Sequence, residues 1–173
     1  MGLIVTFLLF STVAALVLRN AYIGITSAPY AGTPKRVIRK ALELANLKPG
    51  EKFYDLGCGD GRAVIIAAKE FGAHATGYEL SWQWYLISKL KLLFSGARNA
   101  EIQLKNLHAA DLRDADVIFV WLTPKAYPKL ERKFKNELKR GARVVAYSSP
   151  LPFWNPRLVV PFSDTSRLFL YIK

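Results

Sequence analysis

The chain has 173 residues, room for one domain and little more, and its 51% hydrophobic and 22% charged content excludes a disordered polar chain. Lys and Arg number 25 against 13 Asp and Glu, and the formal net charge of +12 predicts attraction to phospholipid head groups, nucleic acid or an acidic partner. A single cysteine, Cys58, excludes a disulfide framework, and with only His74 and His108 beside it no zinc set or other metal site is expected.

From Met1 to Leu18 no side chain is charged, and Arg19 is the first interruption. Eighteen helical residues would rise about 27 Å, close to the ~30 Å hydrocarbon core of a bilayer. The segment is therefore read as a single-pass transmembrane helix that contacts the lipid bilayer. A cleaved signal peptide, with Val13-Ala14-Ala15 as a loose site, lacks the usual basic start. A buried core helix would show a polar face beyond Thr6, Ser11 and Thr12. Arg19, Lys35, Arg36, Arg39 and Lys40 follow the run, which by the positive-inside rule puts the remainder in the cytoplasm. Residues 1–22 are thus expected to form the anchor, 23–50 a connecting segment and helix, and 51–173 the main domain.

Thr33-Pro34 resembles a helix cap with a first-turn proline, and Val37, Ile38, Ala41, Leu42 and Ala45 recur at helical spacing until Lys48-Pro49-Gly50. Lys52 to Leu56 reads as a strand, and Gly61 to Phe71 as a helix with Val64, Ile65, Ala67 and Ala68 inward. His74 to Glu79 reads as a strand, Trp82 to Phe94 as a helix and Glu101 to Leu104 as a strand. Asp116 to Leu122 is nearly all apolar, as in a central strand buried on both faces. Lys125 to Lys139 forms a basic helix and Ala142 to Tyr147 a strand. Leu158 to Val160 and Arg167 to Ile172 close the chain as an antiparallel pair. The alternation predicts a three-layer α/β sandwich, Rossmann-like, with seven strands, mostly parallel, and an antiparallel C-terminal strand.

The stretch Asp55-Leu56-Gly57-Cys58-Gly59-Asp60-Gly61-Arg62 leaves a strand and enters a helix, where open α/β sheets bind ligands. Glycines at 57, 59 and 61 let backbone amides approach a ligand that a Cβ would keep away. A dinucleotide fingerprint needs a third glycine where Arg62 stands, and Asp55 would repel a pyrophosphate while suiting a positively charged amino-acid end. No Gly-Lys-Ser/Thr follows, which excludes a phosphate-cradling P-loop. Glu79, at the end of the second strand, stands where an acid accepts both hydroxyls of a ribose. A tight turn with helix-capping acids is the plain alternative, which the loop and the acid together disfavour.

These residues resemble motif I and the following acidic motif of class I S-adenosylmethionine-dependent methyltransferases. The resemblance implies S-adenosylmethionine as cofactor. It places backbone around Gly57, Cys58, Gly59 and Gly61 at the methionine part, Asp55 near its ammonium, Glu79 on the ribose, and Asn106 with Leu107 on the adenine side. Where Asn106 stands many members carry Asp; the amide carbonyl still accepts a hydrogen bond from the adenine amino group. Leu122-Thr123-Pro124-Lys125 is a poor match to the motif of nucleic-acid amino-methylating enzymes. Cys58 lies inside the cofactor loop and so does not serve as a cytosine-attacking nucleophile. A catechol-type metal cluster is missing.

Further pieces resemble a narrower lineage of protein-lysine methyltransferases, which includes archaeal enzymes and mitochondrial ones acting on the adenine nucleotide translocase and the ATP synthase c subunit. They are Ala28-Pro29-Tyr30-Ala31-Gly32-Thr33-Pro34, Trp121-Leu122-Thr123-Pro124, Lys129-Leu130-Glu131, Gly141-Ala142-Arg143-Val144-Val145 and Pro152-Phe153-Trp154-Asn155-Pro156. The likeness runs from about Pro29 to the end and makes 51–173 the methyltransferase domain. It implies a protein lysine as acceptor, on a membrane or membrane-proximal protein. A lysine amine of ordinary pKa near 10.4 is mostly protonated, and a dry aromatic channel lowers that pKa and steers the neutral amine. Tyr30 and Trp154, with Trp121 behind them, are the candidate catalytic lining, set against plain core packing for Trp121. The basic helix reads first as a solvated face and then as a lipid contact, with nucleic-acid binding behind both. Trp82 and Trp84, with Tyr85, meet either adenine or a bilayer interface. A small-molecule or lipid methyltransferase, and a non-catalytic cofactor- or nucleic-acid-binding module, are the alternative functions.

Overall fold

In a computed structural model of the chain the described residues are 2–26 and 32–173. Two compact units emerge, Met1–Tyr30 and Ala31–Lys173. The first contains α1, Gly2–Thr26, whose Thr6, Ser11 and Thr12 hydroxyls donate back to carbonyls of the preceding turn. Arg19 and Asn20 lie within this helix and end its uncharged stretch, Gly2 to Leu18. No helix among the described residues is long and apolar enough to cross a membrane. That finding overturns the expected transmembrane anchor, its bilayer contact and the single-pass placement drawn from it.

The second unit opens with α2, Lys35–Leu44, which buries Val37, Ile38, Ala41 and Leu42 at the predicted spacing. Pro34, not Thr33, is its flanking residue, and no side chain caps it. Then follow β1 (Lys52–Leu56), α3 (Arg62–Phe71), β2 (His74–Glu79), α4 (Trp82–Ser95), β3 (Ala100–Leu104), β4 (Val117–Val120), α5 (Tyr127–Glu137), β5 (Arg143–Tyr147), β6 (Leu158–Pro161) and β7 (Arg167–Ile172). Among the described residues the strands form one seven-stranded sheet in the order β3-β2-β1-β4-β5-β7-β6. β1 to β5 are parallel, and β7 runs antiparallel between β5 and β6. The three-layer α/β expectation holds.

One face of the sheet is covered by α2, α3 and α4, with Phe53, Ala75, Phe119 and Val145 pointing into that core. The other face carries α5, packed by Leu130 and Phe134 on Leu56, Ile118, Val144 and Tyr171. β4, buried at all four positions, is the central strand the apolar run predicts. It is shorter than that run because Trp121 and Leu122 leave the ladder. In α3 the inward residue is Ile66 rather than Ile65, because Gly61 stands outside the helix in a left-handed conformation and the buried arc centres on Ala63 and Ala67. The basic helix divides into a 3-10 turn, Pro124–Ala126, and α5, which starts at Tyr127 with Pro128 in its first turn, where a missing N–H is harmless.

Candidate functional site

The carboxyl ends of the parallel strands form the edge at which such sheets take ligands, and the turn after β1 lies at its centre. Gly57, Gly59 and Gly61 have φ of 90°, 53° and 77°, the left-handed region that favours glycine. The amides of this turn point inward. Gly57 and Cys58 both donate to the Tyr78 carbonyl at 2.9 and 3.0 Å, Gly59 donates to the Glu79 carboxylate at 2.8 Å, and Gly61 to the Cys58 carbonyl at 2.9 Å. Those of Gly57, Cys58 and Gly59 tie the turn to β2, so a pyrophosphate would not find the usual cradle of free N–H groups. Cys58 lies flat on β2, so close that a Cβ on Gly77 would fall 2.7 Å from its Sγ. Burial first, then the charges of Asp55 and Glu79, push its thiol well above the ordinary range. Cys58 is a packing residue held neutral.

Three acids surround the turn in three different states. Asp60, 2% exposed, is held by Arg62 through Nε and Nη2, both at 2.8 Å, and by Lys91 Nζ at 2.5 Å. Burial alone would raise its pKa, but these partners outweigh it and lower the value to about 2. Glu79 accepts from the backbone of Gly59 and, at 2.7 Å, of Ser81, while burial keeps its pKa above the ordinary carboxylate value. Asp55, 5% exposed, has no hydrogen-bond donor among the described residues. Desolvation, and then the charges of Glu79 and Asp60, raise its pKa to about 8. A buried carboxyl with no partner is matched to an incoming cation.

Arg62, which takes the place of a dinucleotide glycine, also donates to the Thr33 carbonyl at 3.1 Å. Its guanidinium lies so near Gly32 that a Cβ there would fall 2.9 Å away, so it binds the residues leading into α2 to the glycine turn. On the opposite side a Cβ on Gly61 would meet Ser88 of α4 at 3.0 Å. Past β3, Asn106 accepts from the His108 amide at 2.9 Å and caps a 3-10 turn, Leu107–Ala109, with Leu107 half-buried. Part of the acceptor capacity expected for adenine is thereby used. Trp82, following Glu79 by three residues, has a buried indole Nε1 without a hydrogen-bond partner among the described residues.

The candidate lining residues part company. Tyr30 lies outside the described residues. Trp121 follows Val120, the partner of Leu56, and so stands beside the start of the glycine turn, its ring edge-on to Tyr147 at 5.0 Å. Trp154 packs on Tyr171 at 5.4 Å, on the α5 face, whereas Trp121 belongs to the α2–α3 face. Tyr171 pairs with Val144, three residues before Tyr147, roughly 10 Å below the ligand edge. Among the described residues the ring contact of Trp154 is with Tyr171 and not with the glycine turn. Tyr147, an aromatic at the carboxyl end of a parallel strand, was not singled out from the sequence; its place at the end of the run Ala142 to Tyr147 was the available signal.

A sheet of this order, a glycine turn after β1 that offers no anion cradle, an unpartnered Asp55 beside it and an acid ending β2 define a class I S-adenosylmethionine-dependent methyltransferase. Comparison agrees and narrows the class. The chain belongs to the ANTKMT methyltransferase domain family, whose model matches residues 55–158. A protein-lysine N-methyltransferase of Saccharolobus islandicus is 34% identical over 149 residues, covering 83% of this chain and 92% of that relative. The mouse adenine nucleotide translocase lysine N-methyltransferase is 37% identical over 145 residues, and the chain spans 62% of its length. An RNA methyltransferase of Salinibacter ruber, solved in complex with S-adenosyl-L-homocysteine, superposes with a TM-score of 0.78 at 29% identity, over 82% of this chain and 93% of that one. S-adenosylmethionine is the cofactor, and it supplies an electrophilic methyl group on a sulfonium.

Proposed function

We propose that this chain methylates the ε-amine of a lysine in a protein, with a membrane protein as the target class. The observation that carries the reading is the relation to the Saccharolobus islandicus enzyme, which spans nearly the whole of that relative. The mouse relative, named for a lysine of a translocase, supports the target class.

The chain's own residues divide the work as follows. Asp55 receives the ammonium of the methionine moiety, and its proton leaves as that cation arrives. Glu79, fixed by backbone donors that include Gly59 and Ser81, keeps lone pairs for the ribose hydroxyls. The turn at Gly57, Cys58, Gly59 and Gly61 brings backbone close to the methionine part, and Asn106 with Leu107 borders the adenine. Trp121 and Tyr147 form an aromatic wall beside the start of that turn. Such a wall disfavours a protonated lysine by desolvation and orients the neutral amine for in-line attack. Tyr30, from the Pro29-Tyr30 piece of the sequence, is the further candidate for this wall. Trp154 belongs to the packing of the α5 face.

The test is incubation of the purified chain with methyl-labelled S-adenosylmethionine and membrane or lysate fractions, followed by mass spectrometry. Labelled N-methyl-lysine in protein is the expected product. Label lost to ribonuclease and retained after protease would replace this reading with RNA methylation. Glu79→Ala is expected to weaken cofactor binding in calorimetry, and normal affinity would contradict the ribose assignment.

A further inference from the structure

α4 is apolar on both of its sides. Ser88 and Leu92 face the core, while Leu86, Leu90, Leu93 and Phe94 stand 44%, 56%, 72% and 84% exposed on the outward side. On a helical projection these four, with Ile87, fill one arc that only Gln83 shares. Leu104, 46% exposed on the edge strand β3, adds to the exposed apolar surface on the same face of the sheet. Water-exposed side chains of this size, gathered into one stripe, mark a surface that is covered in function.

The charges beside the stripe identify what covers it. Lys89 and Lys91 fall on its two opposite borders, both exposed, and α4 contains no acidic residue. The nearest acid bonded to it, Asp60, is shared between Lys91 and Arg62, one carboxylate between two cations. Lys69 caps the carboxyl end of the helix through the Ser95 carbonyl, and exposed Arg98 follows. A two-fold pairing with a second copy would set these cations against themselves on a chain of net charge +12. A convex stripe of Leu and Phe with lysines on both seams has instead the form of a helix lying in a lipid interface, its ammonium groups reaching up to anionic head groups.

We infer that the outward face of α4 rests on an anionic lipid surface, Leu90, Leu93 and Phe94 entering the acyl boundary and Lys89 meeting head groups. This is a contact made by the folded catalytic unit; it needs no membrane-crossing segment and does not depend on which amine is methylated. It places the glycine turn, joined to α4 through Lys91–Asp60 and Gly61–Ser88, close to the head-group region.

Cys58 is the sole cysteine and is buried, so an environment-sensitive fluorophore attaches selectively to Leu90→Cys or Phe94→Cys in the full chain. With vesicles of equal parts phosphatidylcholine and phosphatidylglycerol, labels at 90 and 94 should brighten and shift to the blue. A label at exposed Arg132→Cys, on α5 of the opposite face, should not change. Lys89→Gln should weaken partition into these vesicles about fivefold, and pure phosphatidylcholine should weaken it further. Cofactor affinity of each labelled chain confirms its fold. Labels at 90 and 94 that stay in water while the protein sediments with vesicles would overturn the inference, as would failure to sediment. Shielding that precedes lipid and grows with protein concentration would also overturn it, in favour of a second copy.

Discussion

On the proposed assignment of Asp55 to the cofactor's ammonium, binding is a proton-releasing reaction whose magnitude follows from the carboxyl's pKa of about 8. At pH 7 about nine in ten of these carboxyls hold a proton, while the α-ammonium of an amino acid, with an ordinary pKa near 7.7–8.0, is still mostly charged. Forming the ion pair at pH 7 therefore expels close to one proton. Below pH 7.5 the affinity should rise about tenfold per pH unit, or ~1.4 kcal/mol. Calorimetric titrations at pH 5.5, 6.5 and 7.5, each in two buffers of different ionisation enthalpy, measure both slope and proton count. Asp55→Asn should flatten the profile and abolish the buffer dependence. The stability sign runs the opposite way in the ligand-free protein. The folded-state pKa is raised, so between about pH 4 and 8 the unfolded chain has lost a proton that the folded one retains, and this group's contribution to stability falls as pH rises through that window. Asp55→Asn should then have a higher Tm than the parent at pH 8 and little difference near pH 4. A parent protein whose affinity is flat from pH 5.5 to 7.5, or a variant that keeps the slope, would refute the assignment of Asp55 to the ammonium.

Asp60→Ala should lower stability by about 1–3 kcal/mol in urea titration, since it strands two cations that are themselves partly exposed and so recover some hydration; an unchanged midpoint would contradict the network. Gly77→Ala should destabilise by about 1–3 kcal/mol, because its Cβ would lie within 2.8 Å of Cys58 and Val64, and Cys58→Ala in the same chain should restore only part of the loss, since the Cys58 Cβ and Val64 remain. Trp154→Ala should lower the unfolding midpoint while leaving turnover and cofactor affinity within a few-fold, whereas Trp121→Ala should cut methyl transfer more than it lowers stability; equal effects of the two on turnover would show that they share a wall.

Strand and helix positions were legible because each run is short, strongly periodic and closed by glycine or proline: β1, β2 and β7 coincide with Lys52–Leu56, His74–Glu79 and Arg167–Ile172. The glycine turn and Glu79 were legible for the same local reason, since both sit at strand ends that the pattern already marked. What escaped the sequence depends on the path of the chain in space. A proline-rich loop reads alike on either face of a sheet, so the packing of Trp154 on Tyr171, on the α5 face, is not visible in its spacing. The direction of the turn's amides is set by the Tyr78 carbonyl on a neighbouring strand, which spacing cannot reveal. The exposure of the apolar arc of α4 is not legible either, because sequence shows how many faces of a helix are apolar and not how many are covered.

On the proposed assignments the three acids divide the work: Asp55 meets the charge of the cofactor, Glu79 its hydroxyls, and Asp60 holds the turn in shape. Asp60 is charged at every working pH, and its charge is already answered by Arg62 and Lys91, so it offers an arriving cation little net field. Glu79 is oriented by two amides of the elements it joins, which suits the accepting of hydroxyl hydrogens in a fixed plane more than a change of charge. Asp55 alone lacks a partner and alone has room to move from neutral to charged when a ligand arrives. Because the Gly57, Cys58 and Gly59 amides are committed to β2, the turn offers an anion few free donors. Selectivity for a cationic amino-acid end over a phosphate thus rests on what the turn withholds as much as on the one acid it leaves bare.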